Sequence, residues 1–202
     1  MSQPVHFIPM AGTSASVMRK VRASGLLAIS LLISNTLLFL GACNRSGSLD
    51  DTDAADSAPV LAYGTKVSFG QGGGSERYRE SGWSKTEEKF TWTEGTVAVL
   101  KMKVPATSDS VTLKMRLAGL VREPALPFQP VEVEINGQKM ADWQVSDVAE
   151  FTVAIPHDIT KKGSEVIVTL KTQKATSPKA LGINVDTRVL GVCCLDLQLS
   201  KG

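Results

Sequence analysis

The chain has 202 residues, 21% of them charged and 5% aromatic, and its 22 basic and 20 acidic residues give a formal net charge of +2. The basic excess sits at the front: Arg19, Lys20 and Arg22 are the charged residues before position 43, and without them 19 basic residues face 20 acidic ones. So neutral a remainder gives no electrostatic reason to expect nucleic acid, whose backbone is held by clustered Lys and Arg.

That basic patch precedes the apolar run LLAISLLISNTLLFL, Leu26 to Leu40. A positive segment, an apolar core and small residues before a cut describe an export signal. As a membrane span the run is too short, because Ser30, Ser34, Asn35 and Thr36 interrupt it and a span needs about 20 apolar residues. The following Leu40-Gly41-Ala42-Cys43 resembles the lipobox of bacterial lipoproteins. That resemblance implies a signal peptide over 1–42 and acyl chains, palmitate among them, on Cys43. Asn44 in place of Asp implies an outer-membrane address, facing periplasm or cell surface, in a double-membraned host. Met10 and Met18 are alternative starts, since the stretch before Met18 carries Pro4, Pro9 and no charge.

From Asn44 to Tyr63 the chain is rich in Ser, Asp and Ala and poor in apolar residues. Such a segment buries too little surface to offset its ordering entropy, so residues 43–63 are expected to form a flexible tether. Twenty coil residues reach about 25 Å on average.

Residues 64–202 read as β throughout. Val111, Leu113, Met115 and Leu117 alternate with polar partners, and the same period of two recurs in Val131-Val133-Ile135, Phe151-Val153-Ile155, Val166-Val168-Leu170 and Leu195-Leu197-Leu199. Asn136-Gly137 carries the two-residue hairpin signal, as both positions tolerate positive φ. Prolines 105, 124, 127, 130, 156 and 178 are expected between strands. No amphipathic helix is evident. Eight or so short strands predict a single all-β sandwich of jelly-roll type.

Cys193 and Cys194 are neighbours, and their Cα spacing of about 3.8 Å lies below the usual disulfide range. In a strand they face opposite ways, so both are read as packed thiols. Beyond the signal, His157 is the one histidine, in IPHDIT. It is too isolated for a zinc site or a Ser-His-Asp arrangement, and no cofactor or metal is expected. Glu80, Glu87 and Glu88 are the carboxylates that a glycoside hydrolase would pair. GQGGGSER, Gly70 to Arg77, lacks the ending of a phosphate loop and reads as a flexible connection.

The order of Phe69-Gly70, Tyr78-x-Glu80-x-Gly82-Trp83-Ser84-x-x-Glu87, Trp92-Thr93-x-Gly95 and Ala98-x-Leu100 resembles a β-sandwich domain of bacterial surface-polysaccharide machinery. Val131-x-Val133-x-Ile135-Asn136-Gly137 with Trp143, Ile155-Pro156, Ser177-Pro178, Leu181-Gly182 and Asp186-x-Arg188-x-Leu190-Gly191 extend the resemblance to Leu199. In that family the domain accompanies membrane glycosyltransferases and sugar-phosphate or phosphoglycerol transferases. Standing alone on a lipid anchor, the module implies an accessory or sugar-binding role and no transferase activity.

Chemistry gives the sugar reading its own footing, because sugars stack C–H faces on aromatic rings and hydrogen-bond to carboxylates and Arg. The candidate ligand residues are Trp83, Glu80, Glu87, Trp92, Asp186 and Arg188. Each keeps a structural alternative: Trp92, beside a strand, as core, and Asp186 with Arg188 as an ion pair anchoring the Glu80–Gly95 loop. The expected function is therefore a lipid-anchored, non-catalytic sandwich that binds a glycan or supports polysaccharide assembly. Its expected partners are the membrane through its lipid, a glycan, and envelope or polysaccharide-assembly proteins. A structural envelope lipoprotein and a glycan hydrolase are the alternatives.

Overall fold

The computed structural model describes residues 57–202, so the expected signal, Cys43 and most of the expected tether lie outside the described residues. Ten strands occur in chain order: β1 (Lys66–Ser68), β2 (Arg79–Ser81), β3 (Thr91–Glu94), β4 (Val97–Lys103), β5 (Val111–Gly119), β6 (Gln129–Ile135), β7 (Gln138–Val145), β8 (Ala149–Ile155), β9 (Glu165–Thr172) and β10 (Leu190–Lys201). A short helix, α1 (His157–Lys162), and a 3₁₀ turn at Ser75–Tyr78 complete the elements.

The strands form two antiparallel sheets, one ordered β1-β10-β5-β8 with β3 also on β10, the other β2-β4-β9-β6-β7. This is the all-β sandwich of jelly-roll type that the alternation predicts. Leu113, Met115, Leu117, Leu197 and Leu199 face Leu100, Met102, Val133, Val168 and Leu170 across the interior, all fully buried. Each such side chain contributes about 1.5–3 kcal/mol by leaving water.

Four sequence expectations shift. Leu195 is not an inward residue, because a register shift between Cys194 and Asp196 inserts it as a bulge and hands the inward place to Cys194. Pro130 does not lie between strands: it sits near the start of β6, opposite Gln144. Residues 59–61, expected within the tether, are part of the fold. Leu61 is wholly buried, its N–H donates to the Lys103 carbonyl at 2.9 Å, and the Lys103 N–H returns to the Pro59 carbonyl at 2.9 Å. Finally, where no helix is evident in the sequence, His157–Lys162 form the short α1.

The register defines two poles. Lys103 pairs with Glu165 at one end of β4 and Val97 with Lys171 at the other. The described chain enters at the Lys103 end. Loops 82–90 and 173–189 gather at the Val97 end, where Gly95 N–H donates to the Val189 carbonyl at 2.7 Å.

Candidate functional site

The glycines of GQGGGSER build an ordered turn, with φ of +71° at Gly72 and +78° at Gly74. The turn leads into the 3₁₀ segment, which buries Ser75 and Tyr78 and turns Glu76 and Arg77 outward. Arg79–Ser81 then pairs with β4, Arg79 opposite Leu100 and Ser81 opposite Val99. At Gly82, φ is +74° and the backbone comes so close to β4 that an added Cβ would strike the Val97 carbonyl oxygen. Only glycine suits both demands.

This close approach sets Trp83. Its indole Nε1–H donates to the Val99 carbonyl at 2.9 Å, and its ring lies 5.2 Å from that of Phe69, tilted by 47°. The ring is half-buried and packed against the core. Beside it opens a polar cleft of about 230 Å³ lined by Glu76, Arg79, Glu80, Ser81, Gly82, Trp83 and Ser84.

Arg79 frames the cleft from behind. One terminal nitrogen, Nη1, donates to the Ser84 carbonyl at 3.3 Å. The other, Nη2, donates to Thr86 Oγ1 at 2.8 Å and lies 3.5 Å from Glu76 Oε1. Nε is buried and has no partner among the described residues. Arg79 and Glu76 were not among the sequence candidates. Arg79 occupies an unspecified position in the Tyr78-x-Glu80 pattern, and its contacts form only when the chain folds back at Gly82.

The six sequence candidates separate. Trp83 and the exposed Glu80 share the cleft. Asp186, Arg188 and Glu87 form a clamp elsewhere. Arg188 Nε donates to Asp186 Oδ2 at 3.0 Å, Nη2 to the same oxygen at 2.6 Å, and Nη2 lies 3.5 Å from Glu87 Oε1. Hydrogen bonds from Arg188 hold the Asp186 carboxyl below its ordinary range, and the same contacts raise the guanidinium. This geometry matches the ion-pair alternative, since it ties loop 173–189 to the loop that carries Glu87.

Trp92 belongs to neither group. It pairs with Cys193 on the outer face of the sheet and meets Phe90 edge-on, with ring centroids 5.9 Å apart. It is half-buried and outside the core cluster, contrary to its reading as a core residue. Cys193 and Cys194 are both free and buried. Burial lifts the Cys193 thiol to about 11, with the Glu87 carboxylate adding to the rise, and burial drives Cys194 well above its ordinary value.

His157 is exposed at the start of α1, its Nε2 3.3 Å from the Ser108 carbonyl oxygen. Among the described residues no group of three or more His, Cys, Asp or Glu is placed to hold a metal ion.

No family model matches the chain, and no curated protein matches it. Among solved structures it is similar to the CBM36-1 domain of a multidomain xylanase from the hindgut metagenome of Trinervitermes trinervoides. The two are 12% identical over 68% of this chain and 97% of that one, with a TM-score of 0.43. It is also similar to a CBM6 module from Clostridium stercorarium in complex with cellobiose, at 8% identity over 72% of this chain and 100% of the other, TM-score 0.42. A third is a CBM36 carbohydrate-binding module in complex with calcium and xylotriose, at 10% identity over 67% and 99% of the two chains, TM-score 0.39. At such values the likenesses assign neither ligand nor site to this chain.

Proposed function

We propose that this protein is an exported, lipid-anchored sandwich that binds a glycan without transforming it, through the cleft of residues 76–84. The observation that supports this reading is the joint position of Trp83 and Glu80 on one open cleft. The indole offers an apolar surface for sugar C–H groups, while Glu80 and Ser81 accept and donate hydrogen bonds at its edge. Because Val99 and Phe69 already fix the ring, binding does not have to order it.

Hydrolysis fits the cleft less well. Glu76 and Glu80 both line it, but Glu76 is engaged by Arg79 and Thr86. A glycosidase needs two free carboxylates across the scissile bond, about 5–10 Å apart.

A glycan-array screen followed by titration calorimetry on the full chain in detergent tests the reading. Glu80→Gln should weaken binding at least about tenfold, the size of one charge-assisted hydrogen bond, without lowering the melting temperature. Unaltered binding by that variant, or no ligand for the wild type, defeats the proposal. Anchoring at Cys43 is tested by metabolic labelling with a palmitate analogue: Cys43→Ala should carry no label, and persistent label would refute acylation there.

An envelope-docking role is the second reading, favoured by loop 173–189. Hydrogen bonds of 2.8 and 3.0 Å between Thr176 and Leu190 close the loop, yet Val185 is 89% exposed and Ile183 and Val189 are exposed too. Photo-crosslinking from position 185 in cells should then join one defined envelope protein, and a ladder of random products would count against it.

A further inference from the structure

We infer that the cleft of residues 76–84 selects glycans bearing unsubstituted amino groups over N-acylated and carboxylated ones. This rests on the glycan-binding reading of the same cleft. Three charged side chains line it, two anions and one cation, and they are not equally presented.

The cation is turned away. The Arg79 side chain is only 12% exposed, its two terminal nitrogens are directed at Ser84, Thr86 and Glu76, and its Nε is buried. The anions are turned out. Glu76 is 52% exposed although its Oε1 faces Arg79 and Thr86, and Glu80 is exposed with no ion-pair partner among the described residues. The neighbouring cations do not line the cleft: Arg77 lies over the Tyr78 ring at 5.2 Å, and Lys85 follows the last lining residue. A ligand approaching from solvent therefore meets carboxylate oxygens before it meets the guanidinium.

That order decides the ligand class. A sugar ammonium is a compact cation with donors only, and it suits Glu80 with a Ser81 oxygen beside it. The indole face of Trp83 also attracts a cation set near its ring. N-acylation removes the charge and adds bulk, leaving a neutral amide N–H beside the hydroxyls in place of the ammonium. A uronate brings its carboxylate against the unpaired Glu80, and the one cation that lines the cleft, Arg79, is already engaged by Ser84, Thr86 and Glu76.

The test uses the full chain in detergent and three oligosaccharides of equal length: glucosamine, N-acetylglucosamine and galacturonate oligomers. Titration calorimetry should find the glucosamine oligomer bound at least about tenfold more tightly than its N-acetylated counterpart, with no heat from the galacturonate. Glu80→Gln should bring the two amino-sugar oligomers to within about threefold, losing the charge-assisted part of the contact. Glu150→Gln, an exposed carboxylate on β8 in the other sheet, should keep the preference and so exclude general attraction of a polycation. Equal binding of both amino-sugar oligomers, lost together in Glu80→Gln, overturns amine selectivity and leaves the glycan site standing. A preference that survives Glu80→Gln or vanishes in Glu150→Gln overturns the inference. Absence of binding by every oligomer and every glycan of the array overturns both readings.

Discussion

Trp83 and Trp92 face opposite sides of the strand ladder that joins them. Trp83 stands across an antiparallel bridge from Thr93, whose side chain is buried, so the Trp83 ring is directed inward onto Phe69. Trp92, one residue before Thr93, alternates outward and pairs with Cys193. Two aromatic residues that read in sequence as one platform thus serve different surfaces, and the cleft receives only the first.

The two tryptophans should differ in what they hold up. Trp83→Ala removes the hydrogen bond to Val99 and the contact with Phe69, and leaves a carbonyl without its donor. A loss of about 3 kcal/mol is expected, the lower end for large aromatic truncations because the ring is only half-buried. Trp92→Ala should cost about 1 kcal/mol or less beyond the Phe90 contact. Urea denaturation of both variants checks the order, and a less stable Trp92→Ala protein would contradict it.

Gly82→Ala should be among the most damaging single-methyl changes in the chain. The position combines φ of +74° with backbone atoms of Val97 and Ala98 where the methyl would go. The conformational penalty alone is about 1–2 kcal/mol, and displacing β2 from β4 adds to it. The cleft should open at the same time, since Trp83 follows directly. Melting temperature and glycan affinity are therefore expected to fall together, whereas Gly72→Ala, also left-handed at φ +71° but with open space around its Cβ, should cost only the conformational penalty of about 1–2 kcal/mol and leave glycan affinity unchanged.

Much of this arrangement is legible in the sequence where one face alone is buried. Val111 to Leu117 and Val166 to Leu170 keep a strict period of two because each strand has the core on one side and water on the other. The period misleads at Leu195, because a bulge adds a residue without changing composition. Leu61 was invisible for a different reason: one buried leucine in a polar segment has no periodicity, and its place depends on Lys103, distant in sequence. At the site, Trp83 and Glu80 are residue types that announce their chemistry. Arg79 does not, because its role lies in contacts with Ser84 and Thr86 that need the turn at Gly82. Whether Asp186 and Arg188 meet a ligand or each other is likewise a matter of geometry, and the bidentate pair is what the fold makes.

Both C-terminal thiols should be silent in the native protein. Burial keeps Cys193 protonated, at about 11, and Cys194 more strongly still. The thiolate is the nucleophile, so iodoacetamide at neutral pH should leave both unmodified over hours. After unfolding in guanidinium without reductant, the peptide holding them should carry two alkyl groups. Recovery only after reduction would reveal a disulfide.

Acid should weaken the fold through a small set of surface carboxylates. Lys201 and Thr107 lower the carboxyl of Asp109, Lys139 and Lys171 that of Glu132, and Arg188 that of Asp186. A folded value below the unfolded one means that the unfolded chain binds protons first as pH falls. The contribution is therefore complete above the unfolded carboxyl range of about 3.9–4.3 and is lost as pH drops through the lower folded values. The partner cations Lys139, Lys171 and Arg188 are raised, so their side of the linkage is lost only at strongly alkaline pH. Melting temperature should hold between about pH 5 and 8 and decline below about pH 4. Because these groups are close to solvent, added salt should flatten the decline. Arg188→Met should flatten it further by returning Asp186 toward its ordinary value, and hydrogen exchange should quicken in loop 173–189 and beside Glu87. A melting temperature that rises on acidification from pH 5 to 3, or an Arg188→Met profile as steep as the wild type's, would show that the clamp does not stabilise the fold.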